Sequence, residues 1–113
     1  MKTFVRSLQR AAPLTGLLLF ALLPAPSLLA ATLTVEIVDY RFIPAELRIR
    51  AGDSVRWINR EKRTSHSILF PATGQESERL FPDEHWEKLF ERAGLYRYRC
   101  GPHPEMEGVV HVE

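Results

Sequence analysis

The sequence contains very little cysteine, and this limits how a small domain could be stabilised. Its 113 residues include one cysteine, Cys100, so no disulfide can form within the chain. No uninterrupted apolar run reaches the roughly 20 residues that a membrane-spanning helix needs. Residues 31–113 contain no internal repeat and no low-complexity segment. We therefore expect a single domain whose lone thiol is buried, paired with another chain or bound to a metal.

The first 30 residues differ from the rest of the chain. The only charges before Glu36 are basic: Lys2, Arg6 and Arg10. A positive head, a short apolar middle and small residues at its end are typical of a secretory signal peptide. A retained membrane anchor is disfavoured because the apolar run holds only roughly 13 residues. We expect residues 1–30 to be a cleaved signal peptide and residues 31–113 to form an exported domain with no membrane attachment.

The charge of the expected domain excludes one class of partner. Residues 31–113 carry 12 Lys and Arg against 14 Asp and Glu, a formal charge of −2. Nucleic acid is not expected as a partner, because phosphate binding needs a basic excess on one face. Exported domains of this size bury only ~60–65% of their unfolded surface and usually carry disulfides or a metal. Since a disulfide within the chain is impossible, a metal and a pairing with another chain both remain open at this stage.

Short runs of alternating apolar and polar residues, separated by turn residues, predict an all-β sandwich or barrel. Residues 75–92 are ambiguous. Trp86, Leu89 and Phe90 fit one helical turn, whereas Lys88 and Phe90 also fit the spacing of a strand. The predicted strands are 33–38, a short crossing that ends at Pro44, 46–50, 54–59, 67–70, 95–100 and 108–112.

Three residue types that bind soft metals lie within seven residues. Cys100, His103 and Met106 present a thiolate, an imidazole and a thioether. Thiolate and thioether hold Cu(I), while imidazole also suits Cu(II). A hard cation would need several carboxylates, and structural zinc would usually need more cysteine or histidine. A lone cysteine or methionine is usually a core residue, but their joint occurrence with histidine predicts a copper site.

A blue-copper arrangement needs a second histidine besides the one in this loop. The candidates are His66, His85 and His111. His66 is favoured because it lies between a polar loop and the apolar run 68–70, where a side chain can point to the end of a sandwich. His111 alternates with valines, so it is expected to face solvent. His85 lies in the acidic, ambiguous segment and is expected to be a surface residue.

The chain resembles the cupredoxins, most closely the plastocyanin, pseudoazurin and amicyanin group. Residues 51–59, Ala-Gly-Asp-Ser-Val-Arg-Trp-Ile-Asn, are similar to the family's Gly-Asp-x-Val-x-Trp-x-Asn stretch. Residues 90–100 are similar to its Phe-x-x-x-Gly-x-Tyr-x-Tyr-x-Cys strand. Residues 100–108, Cys-Gly-Pro-His-Pro-Glu-Met-Glu-Gly, are similar to the short ligand loop of amicyanin. His66 lies where the family's first copper histidine stands.

The resemblance implies a Greek-key β-sandwich of about seven or eight strands, with one type 1 copper ion at one end. Cys100 would be the strong equatorial ligand, His66 and His103 the imidazole ligands, and Met106 the weak axial ligand. Asn59 would brace the ligand loops by hydrogen bonds, as groups around a metal site do. An ordinary turn asparagine is the alternative.

The resemblance also implies a function. The protein would carry single electrons in the periplasm by cycling between Cu(II) and Cu(I). Its partner would be a c-type cytochrome or a periplasmic oxidoreductase that docks weakly near His103, and the protein would be a monomer.

Two other functions compete with this one. Copper binding for tolerance or delivery is the alternative, although a delivery protein often carries Met or His clusters and this chain has only Met1 and Met106. An oxidase or nitrite reductase is not expected, because one domain with one cysteine has no room for a second, catalytic copper centre. We therefore expect the protein not to be an enzyme.

Three further residues lie near the expected site: Ser67, Arg97 and Arg99. Ser67 follows the first histidine, where several family members carry Asn, and this change could alter the hydrogen bonding around the cysteine sulfur. Arg97 and Arg99 lie on the outer face of their strand and are expected to be solvated rather than to form a functional positive stripe.

Overall fold

The structure is a computed structural model that describes residues 2–3, 11–13, 15–16 and 29–113. Most of the expected signal peptide therefore lies outside the described residues. Within the described part, no helix is long and apolar enough to cross a membrane. The described chain forms nine strands: β1 Thr32–Val38, β2 Arg41–Ile43, β3 Glu46–Ile49, β4 Ser54–Asn59, β5 Leu69–Phe70, β6 Gln75–Glu76, β7 His85–Leu89, β8 Gly94–Arg99 and β9 Glu107–Val112.

The strands form two sheets that share one core. One sheet has the order β2-β1-β4-β7 and the other has the order β3-β9-β8-β5-β6. The pairs β1/β4 and β3/β9 are parallel, and the other pairs are antiparallel. The all-β prediction is confirmed, with nine strands rather than seven or eight because the ambiguous segment 75–92 contains both β6 and β7.

Alternation along the strands builds the core, as the sequence predicts. Trp57 is fully buried, and its ring centroid lies 5.3 Å from that of Tyr98 and 6.2 Å from that of Phe70 on the opposite sheet. Apolar side chains from both sheets pack around this contact and exclude water from it. The other buried apolar residues of the two sheets are Val35, Ile37, Phe42, Ile49, Val55, Val110 and Val112.

The ambiguous segment contains a strand, so the interpretation as a helical turn is wrong. Residues His85–Leu89 pair with β4, and Trp86 lies opposite Trp57 in this register. Trp86 and Lys88 are partly buried and alternate with exposed neighbours. Pairing with β4 satisfies backbone hydrogen-bonding groups of both strands, and this tertiary gain outweighs the local helical spacing.

The loops at one end of the sandwich carry the predicted metal ligands. β4 ends at Asn59, and the chain then runs through residues 60–65 to His66. β8 ends at Arg99 and leads directly into the loop 100–106. Because these strands belong to facing sheets, the two loops meet over the core.

Candidate metal centre

The ligand loop between β8 and β9 is held closed by its own backbone. Cys100 N–H donates to the carbonyl oxygen of Met106 at 3.0 Å, and Met106 N–H donates to that of His103 at 3.0 Å. The chain thus turns tightly enough to bring the ends of the loop together. Cys100 is fully buried, Met106 is 2% exposed and His103 is partly exposed.

His66 is held in place by a separate pair of backbone hydrogen bonds. Its N–H donates to Leu80 at 3.0 Å, and its carbonyl accepts from Leu80 N–H at 2.7 Å. His66 is fully buried. The residue therefore has a fixed position above the core, independent of the loop that carries Cys100.

Three donor atoms converge at the centre of this site. Nδ1 of His66 lies 3.2 Å from Nδ1 of His103, and Sγ of Cys100 lies 3.6 Å from the first and 3.5 Å from the second. A point equidistant from these atoms lies about 2.0 Å from each, which is a typical metal–imidazole distance. The cluster thus has the size and the soft donor set of a copper site. The fourth predicted residue, Met106, is buried in the same loop.

Burial affects the protonation of His66. It lowers the pKa of His66 below the usual 6.5, and the nearby Glu61 carboxylate partly opposes this change. A neutral imidazole has a lone pair to offer a metal, whereas a protonated imidazole does not. His66 therefore favours the form that binds a cation.

Two polar side chains, one at the end of β4 and one in the loop that follows, support the centre. Glu61 Oε1 lies 3.3 Å from His66 Nε2 and accepts the N–H of Tyr40 at 2.7 Å. Asn59, fully buried, donates through Nδ2 to the carbonyls of Thr64 at 2.8 Å and Leu80 at 2.9 Å. Its Oδ1 accepts the N–H of Glu61 at 2.9 Å. Asn59 thus braces the loop that leads to His66, as the resemblance implied, and is more than a turn residue.

Ser67 connects the two ligand-bearing segments. Its backbone N–H points to Cys100 Sγ at 3.5 Å, and its Oγ accepts the N–H of Gly101 at 3.0 Å. The hydroxyl also donates to Glu76 Oε1 at 3.2 Å. Ser67 thus forms a link between the two loops.

Tyr40 is a site residue that the sequence analysis missed. It lies in the two-residue turn between β1 and β2, where Asp39 and Tyr40 have φ values of +50° and +58°. Its ring stands edge-on to His66 at 5.4 Å and to His103 at 5.0 Å between centroids. The usual signal for such a turn is Asn-Gly or Asp-Gly, and this sequence offers only the Asp.

The remaining polar candidates lie elsewhere. His85 is exposed on β7, as expected. His111 is only partly exposed, and its Nε2 lies 2.6 Å from Glu46 Oε1. Arg97 is exposed, which is consistent with the expectation that it is solvated. The same expectation is wrong for Arg99, because Arg99 donates to backbone carbonyls of the ligand loop.

Comparison with known proteins places these features in a family. The family of copper binding proteins described as plastocyanin/azurin matches residues 29–113. Amicyanin of Paracoccus denitrificans is 34% identical over 86 residues, which are 72% of this chain and 65% of that protein. The chain thus spans just under two thirds of the length of that relative.

Solved structures show the same fold. A Cu(I) form of an amicyanin variant with methionine replaced by alanine has a TM-score of 0.69 and 32% identity, covering 73% of this chain and 82% of its own. A copper-containing nitrite reductase from Thermus scotoductus SA-01 also has a TM-score of 0.69. It is 24% identical and is covered over 22% of its length, so it shows the fold alone. These matches confirm the predicted cupredoxin-like sandwich, and they confirm that the chain resembles amicyanin.

Proposed function

This chain belongs to the plastocyanin/azurin family of copper binding proteins, and we propose that it is a periplasmic type 1 copper protein that carries single electrons between redox partners. The observation that carries the proposal is the triangle formed by the two Nδ1 atoms and Sγ. In this proposal Cys100, His66, His103 and Met106 would hold the copper ion, with the thiolate and the two imidazoles as strong donors and the thioether as a weak one.

Bound copper would supply a one-electron couple between Cu(II) and Cu(I), and the chain would supply a site of fixed shape. His66, fixed by Leu80, and the closed loop of Cys100 hold the donor atoms at metal-binding spacing. Asn59 and Ser67 add hydrogen bonds that resist movement of either segment. A site held in this way changes little between oxidation states, so little structural rearrangement slows electron transfer.

The proposed contact with partners is the surface near His103. Its imidazole is partly exposed, and the flanking Pro102 and Pro104 are exposed and conformationally stiff. Tyr40, 47% exposed, extends this surface beside the His103 ring. A small, rigid rim suits a weak complex that dissociates quickly. We infer a c-type cytochrome or a periplasmic oxidoreductase as the partner, and a monomeric carrier.

The location in the periplasm depends on the N-terminal 30 residues acting as a signal peptide. Their basic head and short apolar segment support export. Edman sequencing of protein from a periplasmic extract tests this interpretation. A mature chain that starts near Ala31 is expected, and a chain that keeps Met1 in the membrane fraction would contradict it.

We propose that the protein is an electron carrier and not an enzyme. Among the residues that the structure describes, one cluster of three metal-binding side chains is present, and it contains the single cysteine. Copper nitrite reduction would need a further catalytic centre, and the likeness to such an enzyme extends to the fold alone.

Electron exchange tests the proposal directly. Copper-loaded protein is mixed with a reduced c-type cytochrome in a stopped-flow instrument, and fast exchange is expected. Tyr40→Glu should slow exchange, because it places a charge beside His103. Leu95→Glu is the matched control, since Leu95 is 52% exposed but lies at the far end of β8. Slow exchange by the unmodified protein, with copper-sensitive growth of a deletion strain, would instead favour a role in copper tolerance.

A further inference from the structure

Arg99 forms an unusual contact with the ligand loop. It is the last residue of β8, and its Nη1 donates to the carbonyl oxygen of Cys100 at 2.9 Å and to that of Gly101 at 3.1 Å. A guanidinium nitrogen of this kind carries two N–H groups, so one atom can serve both carbonyls. Arg97, on the same face of the strand, is exposed, whereas Arg99 is partly buried.

The same peptide segment is held from its other side. Gly101 N–H donates to Ser67 Oγ at 3.0 Å. A Cβ atom on Gly101 would lie 2.6 Å from that Oγ and would overlap the carboxylate of Glu76. Both polar backbone groups of Gly101 are therefore bonded, and its Cα is enclosed. The segment next to the proposed copper thiolate has little freedom while Arg99 is present.

We propose that Arg99 is a positioning residue that clamps the Cys100–Gly101 segment and favours the Cu(I) state. The inference rests on the copper site proposed above. Hydrogen bonds from a charged donor are shorter and stronger than neutral ones, so the guanidinium restrains the carbonyls more than a neutral side chain would. The oxidised centre carries one more positive charge than the reduced centre. A cation beside Cys100 therefore disfavours the oxidised centre by Coulomb repulsion.

The reduction potentials of three variants test whether the charge of Arg99 disfavours the oxidised centre. Arg99→Gln removes the charge, Arg99→Lys keeps it, and Arg97→Gln removes an equal charge two residues further away, roughly 6–7 Å along the strand. Arg99→Gln should weaken the preference for Cu(I) about threefold, which is about 28 mV for a one-electron couple, since tenfold is 59 mV. Arg99→Lys should shift the potential less, as should Arg97→Gln.

The reactivity of the thiol tests the clamp without any metal. Cys100 is fully buried, so alkylation of the metal-free protein requires the loop to open. Arg99→Gln should be alkylated several-fold faster than the unmodified protein, because the shorter, neutral glutamine side chain loses the charge-assisted contact with the two carbonyls. Arg99→Lys keeps a charge and three N–H donors, so it should react more slowly than Arg99→Gln. Arg97→Gln should react at the unmodified rate. Urea unfolding of each variant shows whether the fast reaction comes from the loop or from global unfolding.

Two results would overturn the inference. One is an equal change in potential for Arg99→Gln and Arg97→Gln. The other is an alkylation rate for Arg99→Gln equal to that of the unmodified protein. If the unmodified protein, loaded with copper, lacks a thiolate charge-transfer band, the proposed function fails instead. The alkylation comparison still decides whether Arg99 holds the loop in that case.

Discussion

Glu61 Oε1 lies 3.3 Å from Nε2 of His66, at the ring nitrogen that faces away from Cys100. A carboxylate in this position favours the tautomer that carries its proton on Nε2 and leaves the lone pair of Nδ1 free. That free nitrogen is the one that lies 3.6 Å from Cys100 Sγ. The carboxylate thus orients His66 for metal binding although it lies outside the donor triangle.

Replacing Glu61 is expected to weaken copper binding. Glu61→Ala removes the acceptor of His66 Nε2, and loss of such a partner typically costs about 10–100-fold in metal affinity. Competition with a copper chelator measures the change. Lys62→Ala is the matched control, because Lys62 is the exposed neighbour in the same loop. Equal affinities for the two variants would show that Glu61 does not orient the histidine.

Asn59 is expected to matter for the stability of the metal-free protein. Asn59→Ala leaves the carbonyls of Thr64 and Leu80 and the N–H of Glu61 without this partner. The carbonyl of Leu80 keeps the N–H of His66. A buried group left without a partner costs about 1–3 kcal/mol, so a loss of this order is expected. Urea unfolding gives the free energy. Thr64→Ala is the control, since it keeps the carbonyl that Asn59 binds, and a similar loss in both variants would contradict this role.

Three of the four ligands could be predicted from the sequence because they lie close together along the chain. Cys100, His103 and Met106 belong to one loop, and the strands alternate in the pattern that buries Val55 and Trp57. Local patterns of this kind survive folding because they are set by residues that remain neighbours.

The supporting residues could not be predicted in this way. Glu61 and Tyr40 are 21 residues apart and meet only because β1, β2 and β4 share a sheet. Arg99 alternates like an outward residue, and nothing in its spacing indicates that its long side chain reaches the following two carbonyls. Long-range contacts and the direction of flexible side chains are set by the tertiary structure.

Acid is expected to destabilise the fold in part through Asp53. Its carboxylate accepts the N–H of Ala31 at 2.9 Å and that of Arg50 at 3.0 Å, and these bonds lower its pKa below the usual 3.8. Because the pKa of Asp53 is lower in the folded state, its carboxylate stabilises the fold at pH values above about 3.8. This stabilisation is lost as the pH falls through the folded-state pKa. If the chain is cut after Ala30, the Ala31 nitrogen becomes an ammonium group, and its attraction to the Asp53 carboxylate strengthens.

Urea midpoints between pH 7 and pH 3 measure this dependence. Asp53→Asn cannot titrate at this position, so it should be less stable than the unmodified protein at pH 7 and should lose less as the pH falls. Asp83→Asn is the control, because Asp83 is exposed. A pH profile of Asp53→Asn parallel to that of the unmodified protein would rule out this contribution.

Met106→Leu is expected to raise the reduction potential while copper stays bound. Leucine fills a similar volume, so the loss of stability should stay below about 1.5 kcal/mol. The weak axial thioether is lost, and the axial ligand is one of the groups that tunes the potential of a blue-copper site. Redox titration with a copper assay measures both quantities. A lower potential, or loss of the copper, would contradict the assignment of Met106 as the axial ligand.

The visible and EPR spectra of the copper-loaded protein, compared with those of Cys100→Ser, show directly whether Cys100 binds copper as a thiolate. Sγ of Cys100 lies within 3.6 Å of both histidine Nδ1 atoms, which is the arrangement of a thiolate bound with two imidazoles. We expect an intense visible thiolate-to-Cu(II) charge-transfer band with a type 1 EPR signal, and loss of the band in Cys100→Ser. A copper-loaded protein without that band, or a Cys100→Ser variant that keeps it, would rule out a type 1 copper site at Cys100.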